Sequence, residues 1–116
     1  MMKLYGIPNC DTVKKARAWL ANHDIAVEFH DFKKQGLSAE VVQCWLQQST
    51  WELLINRKGL TWRGLSDEQK TINNNAVAQQ LMLGKTSVIK RPLLEQDGKL
   101  LHLGFDDASY SKIFNL

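Results

Sequence analysis

The first 32 residues hold two strands with a helix between them, and that spacing leaves few folds open. Lys3 to Ile7 reads as a short, mostly apolar strand that Pro8 ends, since proline has no N–H to give to a ladder. From Asp11 to about His23 the apolar residues Val13, Ala16, Trp19 and Leu20 recur at helical spacing, while Lys14, Lys15, Arg17 and Asn22 take the other faces. Asn9 or Asp11 can cap this helix by accepting a bond from a free N–H. Ile25 to Phe32 alternates in the manner of a half-buried strand. Strand, helix and strand at this spacing make a βαβ unit, which pairs its strands in parallel through a right-handed crossover.

The texture then changes twice. Lys33-Lys34-Gln35-Gly36 is a turn, and Ser38 caps a helix that runs to about Gln48. A short helix over 50–55, a loop at Asn56-Arg57-Lys58-Gly59, a Ser66-capped helix to about Asn73 and a helix from Asn74 to Leu83, stopped by Gly84, follow. Val88 to Glu95 reads as a strand begun or interrupted by Pro92, and Asp97-Gly98 is a hairpin turn leading into Leu100–Leu103. Asp106 opens a closing helix. The expected organisation is a single α/β domain. Residues 1–37 and 85–116 form a βαβ then ββα core, and 38–84 form a helical insertion.

Cys10 stands where the first helix begins. The first N–H groups of a helix have no partners inside it, and the positive end of the helix dipole favours an anion. A cysteine there gains thiolate character, and the thiolate is the nucleophile. Asn9, Asp11 and Lys14 keep its surroundings polar. Cys44, between Gln43 and Trp45 on a helix, reads instead as a small apolar residue. Two cysteines in 116 residues are too few for a disulfide scaffold. His23, His30 and His102 have no metal-motif spacing. The formal net charge of +3 is spread over separate pairs of basic residues, which argues against a nucleic-acid arm. No signal-peptide core and no apolar run of about 18 residues is present, so a cytoplasmic protein away from membranes is expected. Residues alone read Arg57 and Lys58 as a solvated loop, Lys14 as the wet face of a helix, and the four tryptophans as packing.

Four stretches together carry a resemblance: Tyr5-Gly6-Ile7-x-Asn9-Cys10-x-Thr12-x-Lys14-Lys15-Ala16, Ile55-Asn56-Arg57-Lys58-Gly59, Lys90-Arg91-Pro92-Leu93-Leu94 and Gly104-Phe105-Asp106-x-Ala108-x-Tyr110. Over nearly the whole chain the sequence resembles the ArsC, arsenate reductase-like family, most closely its YffB branch beside the Spx regulators. The resemblance implies a thioredoxin-like fold with a helical insertion. It implies Cys10 as the catalytic thiol and Asn9, Thr12, Lys14, Arg57, Arg91 and Pro92 as substrate-binding residues, with Arg57 turned to Cys10, Lys58 in solvent and Pro92 cis. The arginine that arsenate reductases carry in the hairpin after this proline has no counterpart, since Lys99 and His102 are the only basic residues between Pro92 and Phe105. The Spx Cys-x-x-Cys is also lost, because its fourth position is Val13.

Two functions follow from the resemblance. One is a glutathione-dependent thiol or oxyanion reductase, acting as a monomer with no bound cofactor. Glutathione is its co-substrate, and an anionic or mixed-disulfide substrate is attacked by Cys10 and released by an external thiol. The other is an Spx-like binding module that contacts RNA polymerase without catalysis.

Overall fold

A computed structural model describes all residues from 1 to 116. The chain divides into two compact units, Met1–Gly36 with Arg91–Leu116, and Leu37–Lys90.

The first unit is built on a four-stranded sheet in the order β2-β1-β3-β4. Strand β1 (Met2–Gly6) leads to helix α1 (Asp11–Asn22) and strand β2 (Glu28–Asp31). β1 and β2 pair in parallel, with Gly6 opposite Asp31. This is the βαβ unit expected from the spacing. β2 is shorter than the alternation suggested. The exit of α1 uses up the preceding residues: the N–H of Ile25 still donates to the carbonyl of Leu20 at 2.9 Å, and Asp24 takes a φ of 55°. Asp31 caps a one-turn helix α2 (Phe32–Gln35) where a plain turn was expected, its carboxylate accepting from the N–H groups of Lys33 and Lys34.

Strands β3 (Leu93–Gln96) and β4 (Lys99–Leu103) form the hairpin, turning at Asp97 and Gly98, both at positive φ. β3 runs antiparallel to β1, so the sheet is mixed. Leu4 and Leu94 lie directly opposite one another and pack into one core with Ala16, Trp19 and Leu20 of α1. Tyr110 of the closing helix α8 (Asp107–Ile113) completes that core, with Asp106 as the helix cap. The architecture is an α/β, thioredoxin-like fold.

The second unit is helical. Helices α3 (Ala39–Gln48) and α7 (Asn75–Gly84) pack together, with α4 (Trp51–Leu54), α5 (Leu60–Arg63) and α6 (Asp67–Lys70) between them in sequence. Ser38 caps α3 and Ser66 closes a reciprocal capping box with Gln69 on α6. α6 ends at Lys70 rather than near Asn73, because Thr71 is extended and Asn74 must itself be extended to cap α7. α7 includes Gly84, which the sequence suggested as its stop. The expected strand from Val88 is also corrected. Thr86–Val88 is a 3-10 turn, and Ile89 makes only a single bridge, to Ile55. Regular pairing starts after Pro92, the residue without an N–H.

Candidate active site

Cys10 is the cap residue of α1, with extended backbone angles, and its carbonyl accepts from the N–H of Lys14 at 2.9 Å. Asn9 and Asp11, expected as possible caps, do not cap the helix. Asn9 is exposed one position too early, and Asp11 already lies inside the first turn. The half-buried Cys10 thiol makes no capping hydrogen bond and is free of any disulfide. As the cap residue, Cys10 leads directly into the first turn of α1, whose leading N–H groups have no partners inside the helix. Thr12 is half-buried and Lys14 exposed.

Close packing fixes this junction. Val13, three residues after Cys10, is fully buried. A Cβ on Gly6 would stand only 2.8 Å from Val13 Cγ2, so Gly6 lets α1 approach the end of β1. The register places the other candidates of this unit at the same end. β1 and β3 pair up to Tyr5 opposite Leu93. One and two residues further, β1 reaches Gly6 and the loop to Cys10, while β3 is preceded by Pro92 and Arg91. The Arg91–Pro92 peptide is cis. Pro92 is buried and Arg91 half-buried. α2, with exposed Lys33 and Lys34, begins at this end too, because Gly6 pairs with Asp31.

Gly104, in the Gly104-Phe105-Asp106 stretch, also belongs to this end of the sheet. Its N–H donates to the Pro92 carbonyl at 2.8 Å, and its φ is +80°. A glycine just after the returning strand was the available signal.

The second unit holds Arg57. Its loop is pinned on both sides: the Asn56 N–H donates to the Val88 carbonyl at 2.8 Å, and the Lys58 N–H to Asn56 Oδ1 at 3.2 Å. Gly59 leaves room for this arrangement, since a Cβ there would meet Asn56 Nδ2 at 3.0 Å. The exposed Arg57 head sits over the ring of Trp51, with Cζ 5.4 Å from its centroid. Cys44 is half-buried in α3 and accepts from Gln48 Nε2 at 3.2 Å through its sulfur.

No group of His, Cys, Asp and Glu stands where it would hold a metal ion, and no helix is long and apolar enough to cross a membrane.

The ArsC family model matches residues 5–113. The chain is 42% identical to the solved YFFB protein, covering 97% of this chain and 98% of that one, with a TM-score of 0.91. It is 48% identical to an arsenate reductase (ArsC) related protein from Brucella melitensis, over 99% of this chain and 95% of that one, with a TM-score of 0.79. It is also 28% identical to the global transcriptional regulator Spx of Lactiplantibacillus plantarum, over 92% of this chain and 81% of the relative. With one cysteine at the start of α1 and a match along nearly its whole length, the chain belongs to the ArsC family, akin to YFFB and related to the Spx regulators.

Proposed function

We propose that this chain is a glutathione-dependent thiol reductase of the arsenate-reductase type, with Cys10 as its nucleophile. One observation carries the reading: Cys10, a free cysteine, is the cap residue of α1, at the end of the sheet where Arg91 and Pro92 precede β3. The similarity to an arsenate reductase (ArsC) related protein supports the same class.

The cycle is thiol–disulfide exchange. The Cys10 thiolate attacks the glutathione sulfur of a mixed disulfide, a Cys10–glutathione disulfide forms, and the substrate leaves as a thiolate. Val13 offers no second thiol, so a glutathione thiolate attacks the adduct, glutathione disulfide leaves and Cys10 is regenerated. Arg91 holds the carboxylate of the substrate by a charge-assisted bond. Family resemblance gives Arg57 the same task and Asn9, Thr12 and Lys14 supporting contacts. Such an enzyme needs no bound cofactor, works as a monomer and suits the reducing cytoplasm.

The test is a glutathione-coupled turnover assay on the wild type and Cys10→Ser, with a mixed disulfide and arsenate offered separately. Turnover of the mixed disulfide that vanishes in Cys10→Ser is expected. Equal activity in the two proteins contradicts the reading. The relation to Spx favours a second reading, a regulatory binding module. Absence of turnover combined with co-purification of RNA polymerase subunits would select it.

A further inference from the structure

The Arg57 side chain makes no ion pair and no hydrogen bond within the protein; its Cζ lies over the face of Trp51, 5.4 Å from the ring centroid. Trp51 is itself stacked on Trp62, with ring centroids 6.4 Å apart and planes 29° apart. The loop backbone on either side of Arg57 is pinned by Asn56. Arg57 is thus an exposed arginine on a hydrogen-bonded loop whose head lies against an aromatic face and not against a carboxylate. A carboxylate would hold the guanidinium equally well, but it would occupy the N–H fork and cancel the charge. An indole face attracts the cation through its quadrupole and leaves the N–H groups free. Trp62 stacks on the indole, so the platform is a pair of rings.

We propose that Trp51 is a positioning residue for Arg57, holding the guanidinium in place with its charge and its N–H fork available to a substrate carboxylate or oxyanion. This rests on the reading of Arg57 as an anion-binding residue of the reductase. The guanidinium is thereby prepared before the anion binds and is not ordered by it.

The test is charge selectivity, the ratio of kcat/KM for an anionic mixed disulfide to that for a neutral disulfide. It is measured with Trp51, Tyr, Phe and Leu at position 51, each with Arg57 and with Arg57→Ala. Because the cation–π attraction weakens from Trp through Tyr to Phe, selectivity is expected to fall along that series, by about two- to fivefold in all at Trp51→Leu. The loss is expected mainly in KM, and it disappears when Arg57 is already alanine. The aromatic variants keep the comparison possible if Trp51→Leu does not fold. Selectivity that is flat along the aromatic series, or that changes equally in the Arg57→Ala background, overturns the role of Trp51. If Arg57→Ala itself leaves selectivity unchanged, the anion-binding reading of Arg57 fails, and the positioning role fails with it. The Cys10→Ser assay reports separately on the reductase itself.

Discussion

The backbone N–H of Gly104 donates to the carbonyl of Pro92 across 2.8 Å, joining the end of β4 to the segment that carries Arg91. The bond depends on a buried residue at a φ of +80°, where a side chain is strained. Gly104→Ala is therefore expected to destabilise the protein by about 1–2 kcal/mol. Chemical denaturation checks this, with an unchanged m-value expected. A variant as stable as the wild type would show that the segment tolerates another backbone path.

Tyr110 is fully buried among Trp19, His102, Phe105 and Phe114, and its hydroxyl has no hydrogen-bond partner. Burial, and after it the charge of Asp106, raises its ionisation well above the ordinary 10.0. The unfolded chain thus loses this proton first. The stability linked to the neutral phenol is full below about pH 10 and is lost as pH rises above it. Tyr110→Phe removes an unpaired hydroxyl and keeps the ring. It is expected to be neutral or stabilising by about 1 kcal/mol at neutral pH, and to flatten the alkaline loss of stability. Urea midpoints at pH 7 and near pH 10.5 test both. A clear destabilisation at neutral pH would mean that the hydroxyl has a partner in solution.

Arg91→Ala is expected to slow the reaction with anionic substrates by about 10- to 150-fold, the worth of roughly 1.5–3 kcal/mol for a charge-assisted bond. Neutral disulfides should be affected far less, because they offer the proposed Arg91 contact no charge. Rate constants for a charged and an uncharged disulfide, taken beside a melting curve, separate the effects. Equal slowing of both, or an unfolded variant, would make Arg91 structural.

Much of this was legible in the chain. The periodicities of Val13, Ala16, Trp19 and Leu20 and of the following strand define the βαβ unit. Ser38 and Asp97-Gly98 mark a helix start and a hairpin through their own chemistry. The four-residue helices α2 and α5 were not legible, because a single turn has no period to read. Nor was the end of the apolar run at Val88–Ile89. There, pairing is decided by partners distant in sequence, such as the Leu54 carbonyl that accepts from Lys90. At the site, Cys10 was visible from its place before a helix. That Cys10 is itself the cap, and that Gly104 bonds the segment of Arg91 and Pro92, are tertiary facts. The contact between Arg57 and Trp51 joins a turn residue to the start of α4 six residues earlier, a spacing that helical or strand periodicity does not announce.

If Cys10 carries the chemistry, its covalent adduct can be trapped. Reduced protein is exposed to a glutathione mixed disulfide at neutral pH, quenched with acid and mapped by peptide mass. One glutathionyl group is expected on the Cys10 peptide, formed much faster than any on Cys44. Cys44 sits in the middle of α3, away from a helix start. Free glutathione should remove the group and restore the thiol. Modification of Cys44 at an equal or greater rate, or a Cys10 that stays unmodified in the folded protein, would contradict the role of Cys10.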